Sequence, residues 1–103
     1  MAAYAVVDVD IFDIAEYMHY QQAVRPLLDS AQARYLVRGG ELHVIQGDVE
    51  PQRLIIVEFP SMDDLLDFYS SDSYQALETQ RETCSRATVI AVRGVEDALT
   101  HQD

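Results

Sequence analysis

The sequence predicts one α+β domain: an antiparallel sheet with two helices packed on one of its faces. Three observations lead there. The chain has 103 residues, a length that fits one domain. Its apolar content of 49% suits one hydrophobic core rather than a disordered chain. Strand-like alternation and helix-like periodicity follow one another in the order β-α-β(β)-β-α-β, and helices interleaved with strands in this way suit a sheet covered on one face.

Ala3 to Asp10 alternates and is rich in valine, which reads as a strand. Asp13 with Glu16 three residues on resembles a capping box. It opens a helical pattern through Ile14, Tyr17, Met18, Val24 and Leu28. Pro26 lies inside that pattern, so a kink or restart is expected there. Two short strand-like runs follow, Arg34 to Arg38 and Glu41 to Gln46, around Gly39-Gly40. The glycine pair suits a hairpin turn or a bulge in one long bent strand. Gly47 to Gln52 is a turn-rich connection. Arg53 to Phe59 is the most apolar run and suits a central strand covered on both faces. Ser61 and Asp64 then cap a second helix, interrupted at Ser70 to Ser73 and resumed from Tyr74 to Cys84. Thr88 to Arg93 is a last strand. Residues 1–95 form the expected domain, and residues 96–103 a polar tail.

Charge narrows the function classes. The net charge of −11 argues against nucleic acid and against anionic membrane surfaces. No apolar run is long enough for a membrane-spanning helix, and the N-terminus lacks the basic start of a signal peptide. The expected location is cytoplasmic. All seven basic residues are arginines, so no lysine is present for Schiff-base chemistry. Arginines retained in so acidic a chain suit bidentate pairing with carboxylates or an anionic ligand. Cys84 is alone, which rules out an internal disulfide and suits a small buried residue near a helix end. His19, His43 and His101 are far apart, with no metal-ligand spacing among them.

Several segments carry a family resemblance: Glu16-Tyr17 with Tyr20, Arg34 to Gly40, Val57 to Ser61, and Tyr69 to Gln75 with Arg81 downstream. In this order and spacing the chain resembles the "domain of unknown function 1330" family of the dimeric α+β barrel superfamily, from Ala3 to about Val95. It departs from the family at Asp72-Ser73, where Pro-Glu is usual, and the helix restart is expected to be looser. The resemblance implies a ferredoxin-like βαββαβ fold, a homodimer with two sheets facing each other, and a cleft between sheet and helices. It implies no one activity. The superfamily includes cofactor-independent monooxygenases, haem-degrading enzymes, lactone isomerases and stress-response proteins, and fold does not choose among them. The chain has neither Trp nor Asn, on which haem-degrading and many quinone-forming members rely. No cofactor is implied.

The expected site centres on Arg38, Glu58, Asp8 and Tyr35. Alternation aligns Asp8 with Tyr4 and Val6, and Glu58 with Leu54 and Ile56. A glutamate ending so apolar a strand needs a partner, and Arg38 is the expected one. Glu58 would move a proton and Arg38 hold an anionic oxygen; the alternative is an ion pair that fixes strand register or the dimer. Tyr17 and Tyr20, neighbours on one helix, would orient the substrate. Tyr35, Tyr74, His43 and Arg81 complete the candidates, with a surface pairing of Arg81 to Glu78 or Glu82 as its alternative. Two functions follow. One is cofactor-free conversion of a small oxygenated molecule, of monooxygenase or isomerase type; the other is a non-catalytic ligand-binding or stress-associated dimer. A cavity of a few hundred cubic ångströms favours the first. A cleft filled by aromatic side chains favours the second.

Overall fold

In the computed structural model, which describes residues 1–95, four strands and three helices run in the order β1 (Ala3–Ile11), α1 (Ile14–Ser30), β2 (Arg34–Arg38), β3 (Leu54–Phe59), α2 (Met62–Ser70), α3 (Asp72–Glu82) and β4 (Ser85–Arg93). Residues 96–103, where the polar tail and His101 fall, lie outside the described residues. The sheet order is β2-β3-β1-β4, and every neighbouring pair is antiparallel. This is the ferredoxin-like arrangement. No helix is long and apolar enough to cross a membrane.

Alternation decides which residues meet the helices. Ala3, Ala5 and Val9 of β1 and Ile55, Val57 and Phe59 of β3 are buried under the helical layer. Their neighbours, including Tyr4, Val6, Ile56 and Glu58, face the other way. β3 is therefore covered on one face only within the chain, not on both. On the open face Ile90 is 66% exposed and Val92 50%, an apolar surface uncommon on a lone domain.

Asp13 caps α1 by accepting the Glu16 amide at 3.2 Å. Its buried stripe is Tyr17, Tyr20, Val24 and Leu28, the i, i+3, i+4 spacing of one helical face. The expected restart at Pro26 does not occur, because α1 runs unbroken through it. Pro26 and Gln22 both face solvent, so the carbonyl released at Gln22 can bind water. The strand expected over Glu41 to Gln46 is also absent. Gly39, at φ +68°, turns the chain out of β2, and the segment that follows finds no ladder partner. The glycine pair is neither a tight hairpin nor a bulge; the irregularity lies one step earlier, between Tyr35 and Val37.

Phe59, fully buried, packs on Phe68 at 5.3 Å and Tyr69 at 6.1 Å between ring centroids. Phe59→Ala should cost about 3–5 kcal/mol of unfolding free energy in urea denaturation. A loss below about 1 kcal/mol would show that the sheet and α2 do not share this core.

Candidate functional site

One serine shapes the cleft. Ser71 caps α3 by accepting the Tyr74 amide at 3.2 Å, while its hydroxyl donates to the Phe68 carbonyl at 2.8 Å. It thus closes α2 and opens α3. The tight junction sets Tyr69 edge-on to Tyr74, with centroids 4.9 Å apart. Two turns further along α3, on the same face, Arg81 is buried. The helix restarts at Asp72, with Asp72-Ser73 as its first two residues.

α1 makes its close backbone approach to α3 rather than to any strand. Side chains fill the gap beneath it. Tyr17 and Tyr20 enter from α1, Tyr35 from β2, Tyr69 from α2, and Tyr74 and Arg81 from α3, over a floor that includes Val7, Val57 and Val89. The space left among them is about 40 Å³, room for a water or two and well short of an open ligand pocket. The Tyr20 and Tyr74 hydroxyls are 3.3 Å apart. The cleft is filled by aromatic side chains.

Arg81 is the charge in this setting. One guanidinium nitrogen reaches the Ser85 hydroxyl at 3.4 Å, and Ser85 in turn donates to the Arg81 carbonyl at 2.8 Å. Among the described residues no carboxylate lies within 4.0 Å of it. The expected surface pairing to Glu78 or Glu82 is therefore not found; the α3 face that carries Tyr74 turns Arg81 inward. A buried cation without a carboxylate is costly, and its donors suit an anionic oxygen. Burial pushes the Tyr17 phenol up to about 12, outweighing the pull of Arg81 and Arg53. Burial, then Tyr74, raises Tyr20, and burial also raises Tyr69 and Tyr35. At neutral pH these phenols are neutral hydrogen-bond donors. No histidine or carboxylate lines the cavity among the described residues, so it offers donors and a cation but no base.

The structure brings Tyr17, Tyr20, Tyr35, Tyr74 and Arg81 together, and separates the other expected residues from them. Glu58 faces the open side of the sheet, where it pairs with its cross-strand neighbour Arg34 at 2.6 Å and accepts from the Tyr4 hydroxyl at 3.4 Å. The expected Arg38–Glu58 pair does not form. The irregularity in β2 turns Arg38 to the helix side, where its guanidinium stands over the Tyr35 ring at 4.9 Å. Asp8 is also on the open face, accepting the Gln52 and Arg53 amides at 3.0 and 3.4 Å. His43 is exposed beside Glu41 in the connection after β2 and does not line the cavity. Tyr69 was not expected in the site; its place beside the Ser70–Ser73 interruption is the signal that points to it. Among the described residues no three His, Cys, Asp or Glu side chains lie close enough to share a metal ion.

The comparisons with known proteins agree with this fold. A family model, the domain of unknown function DUF1330, matches residues 2–95. The chain belongs to that family. No curated protein matches it. Among solved structures, a protein of unknown function from Rhodopseudomonas palustris superposes with a TM-score of 0.73 at 15% identity, covering 93% of this chain and 84% of that one. A dimeric ferredoxin-like protein of unknown function from Jannaschia gives 0.66 at 11% identity, covering 91% and 100%. SnoaB from Streptomyces nogalater, a cofactor-independent oxygenase, gives 0.60 at 11% identity, covering 93% and 95%. At such identities the likeness is one of fold.

The buried phenols imply alkaline sensitivity. Above the ordinary tyrosine value of 10.0 the unfolded chain loses protons that folded Tyr17 keeps up to about 12. Unfolding stability should therefore be unaffected by Tyr17 below pH 10 and fall from pH 10 to 12. Urea denaturation across that range, with Tyr17→Phe for comparison, should show a shallower fall in the variant. Identical slopes would place the Tyr17 hydroxyl in water.

Proposed function

We propose that this protein is a homodimer whose sheet–helix cleft binds a small oxygenated organic anion without a cofactor. The observation that carries this reading is Arg81: buried, with no carboxylate within 4.0 Å of it among the described residues, and ringed by neutral phenols. A bound oxyanion would supply the missing charge and accept the donors. Since the closed cleft leaves only about 40 Å³, binding requires the phenol side chains to move apart. The dimer is supported by the open apolar sheet face and by related structures described as dimeric. In such a dimer the Arg34–Glu58 pair, the apolar strand positions and Asp8 belong to the face between protomers, not to the cleft.

Conversion of the ligand, of oxygenase or isomerase type, is a second reading. It is favoured by the same cation and phenols, whose donors suit an enolate oxygen. With no base lining the cavity among the described residues, the substrate would have to arrive ionised or lose its proton to water. Binding alone needs no such step, and the aromatic filling of the cleft favours it.

Native mass spectrometry of the purified protein tests both parts. The expected result is a dimer retaining a small acidic molecule in wild type and in Glu58→Gln, with the retained mass lost in Arg81→Gln. A monomer at micromolar concentration contradicts the dimer. A retained mass unaffected by Arg81→Gln contradicts the cleft.

A further inference from the structure

Outside the tyrosine cleft, three of the chain's seven arginines converge. Arg25 of α1, Arg38 of β2 and Arg53 at the start of β3 line an open hollow of about 460 Å³ together with Met18, Gln22 and Tyr35. The adjoining hollow, about 410 Å³, shares Arg25, Arg38 and Tyr35 and has one carboxylate in its lining, Asp29. Among the described residues none of the three guanidiniums has a carboxylate within 4.0 Å. In a chain with 18 acidic residues this is not for want of partners, as the Arg34–Glu58 pair shows. Like charges gathered without counter-charge repel one another, and an anion between them removes that cost.

Arg53 gives the second observation. Its Nε is buried and has no hydrogen-bond partner, an uncommon state for a buried donor. Its guanidinium lies against Gly39, where a Cβ would stand 2.6 Å from the Arg53 Cζ. Gly39 therefore both turns the chain and leaves the space in which Arg53 is held. Asp8 fixes the other end by accepting the Arg53 amide. Tyr35 is the wall shared by this hollow and the inner cavity.

We propose that this hollow is a carboxylate subsite, and that the ligand is a hydroxylated aromatic acid. Its carboxylate rests on Arg25, Arg38 and Arg53 in the open hollow. Its ring reaches past Tyr35 toward Arg81 as the phenol side chains swing aside, because the closed cleft leaves only about 40 Å³. This rests on the cleft reading above and extends it to a substrate class. Planar guanidiniums match a carboxylate bidentately. A monoanion suits a chain of net charge −11 better than a phosphate dianion, which the same charge repels more strongly.

The arginines themselves report the test. In protein carrying ¹⁵N-labelled arginine, the seven Nε–Hε signals are followed during titration with 3-(4-hydroxyphenyl)propanoate and, separately, with 4-propylphenol, which lacks the carboxylate. The acid should shift the Arg38, Arg53 and Arg81 signals saturably. The phenol should shift Arg81 alone and bind at least tenfold more weakly. Arg53→Gln and, at an exposed position, Arg38→Gln should each weaken the acid about tenfold or more and leave the phenol unchanged. Equal affinity for the two probes, or an acid indifferent to both substitutions, overturns the carboxylate subsite while the cleft stands. If neither probe moves the Arg81 signal, the cleft reading falls and the subsite with it.

Discussion

Arg81 sits more than nine-tenths buried beneath a helix, among phenols, with a serine hydroxyl as the hydrogen-bond partner of its guanidinium. Much of the helical layer is arranged around that position. Ser71 joins α2 to α3 so that Tyr69 and Tyr74 meet there. The buried stripe of α1 puts Tyr17 and Tyr20 against them, with ring centroids 5.4 Å apart. Aliphatic residues at these places would let α1 settle on the sheet and close an ordinary core. Long aromatic side chains fill the wider gap instead and keep their hydroxyls beside the charge.

The two faces of the sheet divide the work. The helix side carries the cleft, the arginine-lined hollow outside it and every phenol but Tyr4. The other side carries Glu58, Arg34, Asp8 and apolar positions such as Ile90 and Val92. An exposed pair such as Arg34–Glu58 contributes about 0–1 kcal/mol at most. A second copy over it would desolvate the pair and make its geometry matter more.

The order of strands along the chain, the helical face of α1 and the start of α2 were legible because each rests on a local pattern: alternation, i/i+4 spacing and the capping Ser61. The break after α2 was legible as the Ser70 to Ser73 run, although the cap there is Ser71 alone. Alternation also grouped Glu58 with Leu54 and Ile56, and Asp8 with Tyr4 and Val6. It does not say which side of the sheet a group faces, and both were expected on the cleft side. Arg38 was not, since the irregularity between Tyr35 and Val37 reverses alternation in β2 and leaves no mark in composition. Arg81 was misplaced in the surface alternative because acidic neighbours on a helix suggest pairing whatever face they occupy. The segment from Glu41 to Gln46 has strand character, but its pairing needs a partner strand that local sequence does not name. Arg25 and Arg53 emerged only once three segments had been brought together in space.

A residue kept for a ligand should be a burden to the empty protein. Urea denaturation of Arg81→Met beside wild type tests this most directly, since methionine fills similar space without charge. If Arg81 awaits an anion, ligand-free Arg81→Met should be as stable as wild type or more stable, by about 1 kcal/mol or more. A loss of about 2–5 kcal/mol, the range of a core truncation, would show that the guanidinium holds the fold together and contradict the account.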